Sequence, residues 1–145
     1  MKPSVVFWYE FASTYSYLSA TRIEAEAERV GALIEWRPFL LGPIFKAQGW
    51  TTSPFNIYPA KGRYMVRDIE RLAMARGSVF TMPDVFPCDS LKAARLAIAA
   101  QSVNGIAAFS RSVFSAQFAH GLNIADGLLD VFGPRRGGDV VARQK

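Results

Sequence analysis

The strongest constraint on this chain is a change of hydrophobic pattern near its N-terminus. Val5-Val6-Phe7-Trp8-Tyr9 is a continuous apolar run rich in β-branched and aromatic residues, the pattern of a strand buried on both faces. It breaks at a cluster of hydroxyls, Ser13-Thr14-Tyr15-Ser16-Tyr17, and a stretch without proline or glycine runs from residue 14 to residue 30, reading as one helix that stops at Gly31. Ser13 or Thr14 supplies its N-cap. The segment ALIEWRPFLL (32–41) then alternates as a second strand, with Pro38 at an edge or bend. Strand, helix and strand in so short a span predict a βαβ unit with a parallel pair and a right-handed crossover.

After this unit the character changes. Residues 42–60 carry Gly, Pro, Ser and Asn without periodicity and read as an ordered loop. KGRYMVRDIERLAMARG (61–77) places Met65, Ile69 and Leu72 on one face of an amphipathic helix stopped by Gly77. A second loop with two prolines leads to CDSLKAARLAIAAQSV (88–103), a helix capped by Asp89 or Ser90 with an apolar stripe including Leu91, Ala94, Ile98 and Ala99. GIAAFSRSVFSAQFAHG (105–121) is a further helix, with Ile106, Phe109, Val113 and Phe118 on one face. The ending, GPRRGGDVVARQK, fits no clear element, and a two-stranded sheet with four helices leaves an edge unpaired.

Composition narrows the function. Half of the 145 residues are hydrophobic, which argues against disorder, and no run reaches the ~18 apolar residues of a membrane helix. With no signal-peptide pattern at the N-terminus, a cytoplasmic protein is expected. One cysteine, Cys88, leaves no CxxC pair. One histidine, His120, leaves too few soft ligands for a typical zinc site, so no metal is expected and His120 belongs on the surface or at a helix end. Of the net charge of +5, residues 134–145 contribute +3. A basic tail on a near-neutral body gives little support to a nucleic-acid partner.

The run Tyr9-Glu10-Phe11-Ala12-Ser13-Thr14-Tyr15-Ser16-Tyr17-Leu18 resembles the start of the 2-hydroxychromene-2-carboxylate isomerases, relatives of the kappa-class glutathione transferases and of the disulfide-bond-forming oxidoreductases. Three further segments match in order: PAKGRYMVRDIERLA (59–73), FPCDSLKAARLAIAA (86–100) and AAFSRSVFSAQFAHGLNIAD (107–126). The resemblance implies an α/β, thioredoxin-like fold with an inserted helical domain. Residues 1–42 would be the N-terminal βαβ part, 43–126 the helical insertion and 127–145 an atypical basic tail. The family continues beyond this point through a cis-proline loop and a closing hairpin. The late proline here, Pro134, lies in FGPRRGG, so the C-terminal strands are expected to be missing, through truncation or a frame shift near residues 127–134.

The resemblance also implies a chemistry. Ser13 and Ser16 stand at the spacing of the cysteines in the redox relatives. A serine forms no disulfide, which sets thiol–disulfide exchange aside and leaves a hydroxyl donor. The first of these positions contacts the thiol of glutathione in the isomerases, and that residue is Ser13. The implied reaction converts 2-hydroxychromene-2-carboxylate to trans-o-hydroxybenzylidenepyruvate in aromatic degradation, with glutathione as cofactor and a small aromatic electrophile as substrate. A kappa-like conjugation and an inactive truncated fragment are the other readings. Asn56, Lys61 and Asp89 follow as glutathione contacts, although Asp89 stands where many members have asparagine. Three of the four also have a plainer role: capping for Ser13 and Asp89, ordinary surface exposure for Lys61. Ser16 and Thr14 are read as structural, Trp36 as core, Trp50 as a lining residue of an aromatic pocket, and Cys88 as a buried or half-buried thiol without a role. A homodimer without membrane or nucleic-acid partners completes the expectation. On this reading Ser13→Ala lowers activity without lowering stability.

Overall fold

A computed structural model describes residues 2–125. The expected tail, residues 127–145, and the expected break near 127–134 lie outside them. β1 (Ser4–Tyr9) and β2 (Leu33–Pro38) pair in parallel, with Phe7 opposite Trp36 and Tyr9 opposite Pro38. The βαβ unit predicted from the pattern is present.

The strand is not buried on both faces. Phe7 and Tyr9 point into the core, where the Tyr9 ring meets those of Trp36, Phe11 and Phe114, with centroids 5.3, 5.3 and 5.8 Å away. Val6 and Trp8 alternate to the other face, where Trp8 is 55% exposed and lies under the Arg37 guanidinium. A period of two puts neighbouring residues on opposite faces, and among the described residues helices cover only one of them.

The expected single helix over residues 14–30 is two: α1 (Thr14–Ala20) and α2 (Ile23–Arg29). Thr21 is the C-cap of α1 and donates its hydroxyl to the Leu18 carbonyl at 2.9 Å, a local bond that competes with continued helix. Gly31 ends α2 at φ +69°, as the sequence predicts.

Residues 42–60 are not a loop either. They carry most of α3 (Leu41–Ala47), all of α4 (Pro54–Ile57) and the first two residues of α5 (Pro59–Ala75). The prolines that suggested irregular chain sit in first turns, where the missing N–H has no intrahelical partner to lose. Pro43 lies in the first turn of α3, and Pro54 and Pro59 open α4 and α5.

α6 (Leu91–Gln101) and α7 (Ile106–Phe114) follow, with a π-helical turn at Ser115–Ala119. The buried face of α6 is Ala93, Ala94 and Ala97, rotated from the predicted stripe, so that Ile98 is 57% exposed. α6 packs against α7 and β2, and small alanines suit such contacts, so packing outweighs side-chain hydrophobicity here. On α7 and the turn after it, Val113, Phe114 and Phe118 are buried. Trp36 is a core residue, as expected, and His120 is exposed at the end of the π-helical turn. Among the described residues no helix is long and apolar enough to cross a membrane.

Candidate functional site

The hydroxyl cluster turns the chain from β1 into α1. Ser13 has extended backbone (φ −103°, ψ 117°) and is the N-cap: its Oγ accepts from the Ser16 amide at 3.2 Å. The Ser16 hydroxyl in turn accepts from the Glu10 amide at 3.2 Å. Thr14 is 2% exposed, and its hydroxyl has no hydrogen-bond partner among the described residues. Tyr15 donates its phenol proton to Asp68 on α5 at 2.8 Å. Burial first, then Asp68 as acceptor and as charge, hold that phenol up to about 12.

This junction forms one end of a cleft of about 1210 Å³. The wall from α3 and the turn after it presents Phe45 stacked on Trp50, with ring centroids 5.4 Å apart, and the ammonium of Lys46. α4 and α5 supply Asn56 and Lys61, and the segment before α6 supplies Cys88 and Asp89. All four residues singled out from the sequence, Ser13, Asn56, Lys61 and Asp89, therefore line one cavity although they come from distant parts of the chain.

Their surroundings differ. Ser13 is half-buried, whereas Asn56, Lys61 and Asp89 are exposed. Asn56 donates to Thr52 Oγ1 at 3.0 Å. The N-cap of α6 is Ser90, and Asp89, one residue earlier, accepts from the Leu91 amide at 2.9 Å in a local turn. Lys61 and Lys46 have no carboxylate partner among the described residues. Cys88 is half-buried, and its Sγ accepts from Gln117 Nε2 at 3.1 Å. Burial pushes this thiol up to about 11 against the lowering effect of that hydrogen bond, so it is a thiol and not a thiolate at neutral pH.

Sequence reasoning missed two groups here. Glu10 is 3% exposed at the base of the cleft, and Ser90 donates its hydroxyl to the Glu10 carboxylate. The available signal was the acid itself: Glu10 directly follows an apolar run and precedes Phe11, a position where an unpaired charge is costly.

Comparison with known proteins agrees with this architecture. A family model described as DSBA-like thioredoxin domain matches residues 4–133. A 2-hydroxychromene-2-carboxylate isomerase of Sphingobium xenophagum is 32% identical over 98 residues, which make up 66% of this chain and 49% of that protein. The chain thus spans about half the length of this curated relative. A solved structure of a selenomethionine 2-hydroxychromene-2-carboxylate isomerase superposes with a TM-score of 0.76 at 23% identity, covering 88% of this chain and 63% of that one. At that identity the likeness establishes the fold.

Proposed function

The chain belongs to the DSBA-like thioredoxin domain family, and we propose that it is a glutathione-dependent cis–trans isomerase converting 2-hydroxychromene-2-carboxylate to trans-o-hydroxybenzylidenepyruvate. The observation that carries this reading is the convergence of Ser13, Asn56, Lys61 and Asp89 on one cleft. The name of the Sphingobium relative supports the substrate.

The residues present fit glutathione. Small-molecule sites commonly enclose about 300–1,000 Å³, and a cleft of about 1210 Å³ has room for a tripeptide beside an aromatic acid. Lys61, without a carboxylate of its own among the described residues, suits one of the tripeptide's carboxylates. The Asn56 amide and the Asp89 carboxylate suit its peptide groups and its ammonium. When bound, glutathione would supply the thiolate nucleophile for reversible addition to the conjugated, ring-opened substrate.

Ser13 is suited to favour the charged form of that thiol. Its oxygen already accepts from the Ser16 amide, so its own proton is left to donate. A hydrogen bond to a charged group contributes ~1.5–3 kcal/mol. At ~1.4 kcal/mol per unit this lowers a thiol by roughly one to two units. The stacked Phe45–Trp50 pair offers an apolar face for the aromatic ring of the substrate.

The test is the absorbance change of 2-hydroxychromene-2-carboxylate on the purified chain, with and without glutathione. A rate that needs glutathione without consuming it supports the isomerase. Stoichiometric loss of glutathione indicates conjugation, and no rate in either condition removes the proposal.

A further inference from the structure

Glu10 is a buried carboxylate with no cationic partner among the described residues. Such a charge is tolerated only when it is well hydrogen-bonded, and three donors reach it. Oε1 accepts from the Ala12 amide at 3.2 Å and from the Ser90 hydroxyl, and Oε2 accepts from the Leu41 amide at 2.8 Å. The three donors belong to three separate parts of the cleft. Ala12 precedes Ser13 at the junction with α1. Leu41 opens α3, the wall that carries Phe45 and Lys46. Ser90 opens α6 beside Asp89.

We propose that Glu10 is the positioning residue of this site: one carboxylate holds the Ser13 junction, the α3 wall and the start of α6 at the spacing that glutathione requires. The inference rests on the glutathione reading above. An amide cannot replace it. Glutamine offers one acceptor oxygen, and its NH₂ would face the backbone N–H of Leu41 or of Ala12, which also donates. At least one wall would then lose its tie. Misplacement of about 1 Å can cost on the order of a hundredfold in a pre-organised site.

The experiment measures KM for glutathione, kcat and melting temperature for wild type, Glu10→Gln, Ser90→Ala and the double variant. Glu10→Gln should raise KM for glutathione about ten- to a hundredfold. Ser90→Ala, which removes one hydrogen bond, should raise it about two- to tenfold. The double variant should cost less than the product of the two, because both act through the same carboxylate. A purely structural role would lower the folded fraction, and with it the apparent kcat, while leaving KM unchanged. If Glu10→Gln does not fold, Ser90→Ala decides alone. An unchanged KM in a Ser90→Ala variant that melts normally overturns the inference. A wild type without glutathione-dependent turnover overturns the reading on which it rests, and the inference with it. Wild-type turnover with unshifted variants overturns the inference only.

Discussion

The Ser13 hydroxyl accepts a hydrogen bond from the Ser16 amide at 3.2 Å, which makes Ser13 the cap of α1 as well as the proposed partner of a bound thiol. The two roles come apart by substitution. Ser13→Ala removes cap and donor together, so stability should fall by about 1 kcal/mol, contrary to the expectation from sequence that it would not change. The glutathione-dependent rate should fall roughly ten- to a hundredfold for loss of a charge-assisted hydrogen bond. Ser13→Gly costs only a few tenths of a kcal/mol at an N-cap, so it should melt near wild type and stay as slow as the alanine variant. Thermal melts and steady-state rates on both variants check this. A glycine variant that regains the rate with the stability would reduce Ser13 to a cap.

Gly62 has the least room for a side chain among the described glycines. A Cβ there would stand 2.7 Å from the Phe55 carbonyl oxygen and 3.2 Å from its ring. Phe55 in turn packs edge-on against Phe86, with centroids 5.0 Å apart. Gly62→Ala should therefore push α4 from α5 and cost about 1–3 kcal/mol, as overpacking does. Denaturant unfolding measures the loss, and unaltered stability would mean that α4 yields without cost.

The βαβ start was legible because its signals are local: an apolar run, a cap and a stop glycine. The prolines misled because Pro43, Pro54 and Pro59 look alike as residues, and only their place in a first turn makes them helix starters. The α6 stripe misled because burial went to Ala93 and Ala97, whose small size suits a close helix contact, and not to Ile98. At the site, the family resemblance pointed to Ser13, Asn56, Lys61 and Asp89, which the fold brings to one cleft. Glu10 was not legible, since its three donors come from residues 12, 41 and 90, a relation that no local window contains.

Lys61 lines the cleft as an exposed cation without a carboxylate partner among the described residues. If it pairs with a carboxylate of glutathione, Lys61→Met should raise KM for glutathione about two- to fivefold, the magnitude of an exposed ion pair. Lys61→Arg should preserve it. The rise of KM with salt should also flatten in the methionine variant, because screening has less charge to act on. Titrations of glutathione at low and high ionic strength read both effects, and an unchanged KM and salt response would make Lys61 an ordinary surface residue.

The titratable groups held out of range share one sign. Burial raises the Cys88 thiol from 9.0 to about 11, and the Tyr9 and Tyr15 phenols from 10.0 to about 12. Each keeps its proton longer in the folded chain than in the unfolded one, so the unfolded state ionises first as pH rises. Their contribution to stability is complete below the unfolded values and is lost on the way to the folded ones. The melting temperature should therefore lose their support from about pH 9, where unfolded Cys88 begins to ionise, through about pH 12. Cys88→Ala should delay the onset by removing the first of these groups, leaving the tyrosines to start the fall nearer pH 10. The same shift lowers the thiolate fraction of Cys88 at pH 8 roughly a hundredfold, so iodoacetamide should label it about that much more slowly in the native chain than in the denatured one. Equal labelling rates in the two states would show that the thiol is open to water and would remove its part of the alkaline effect.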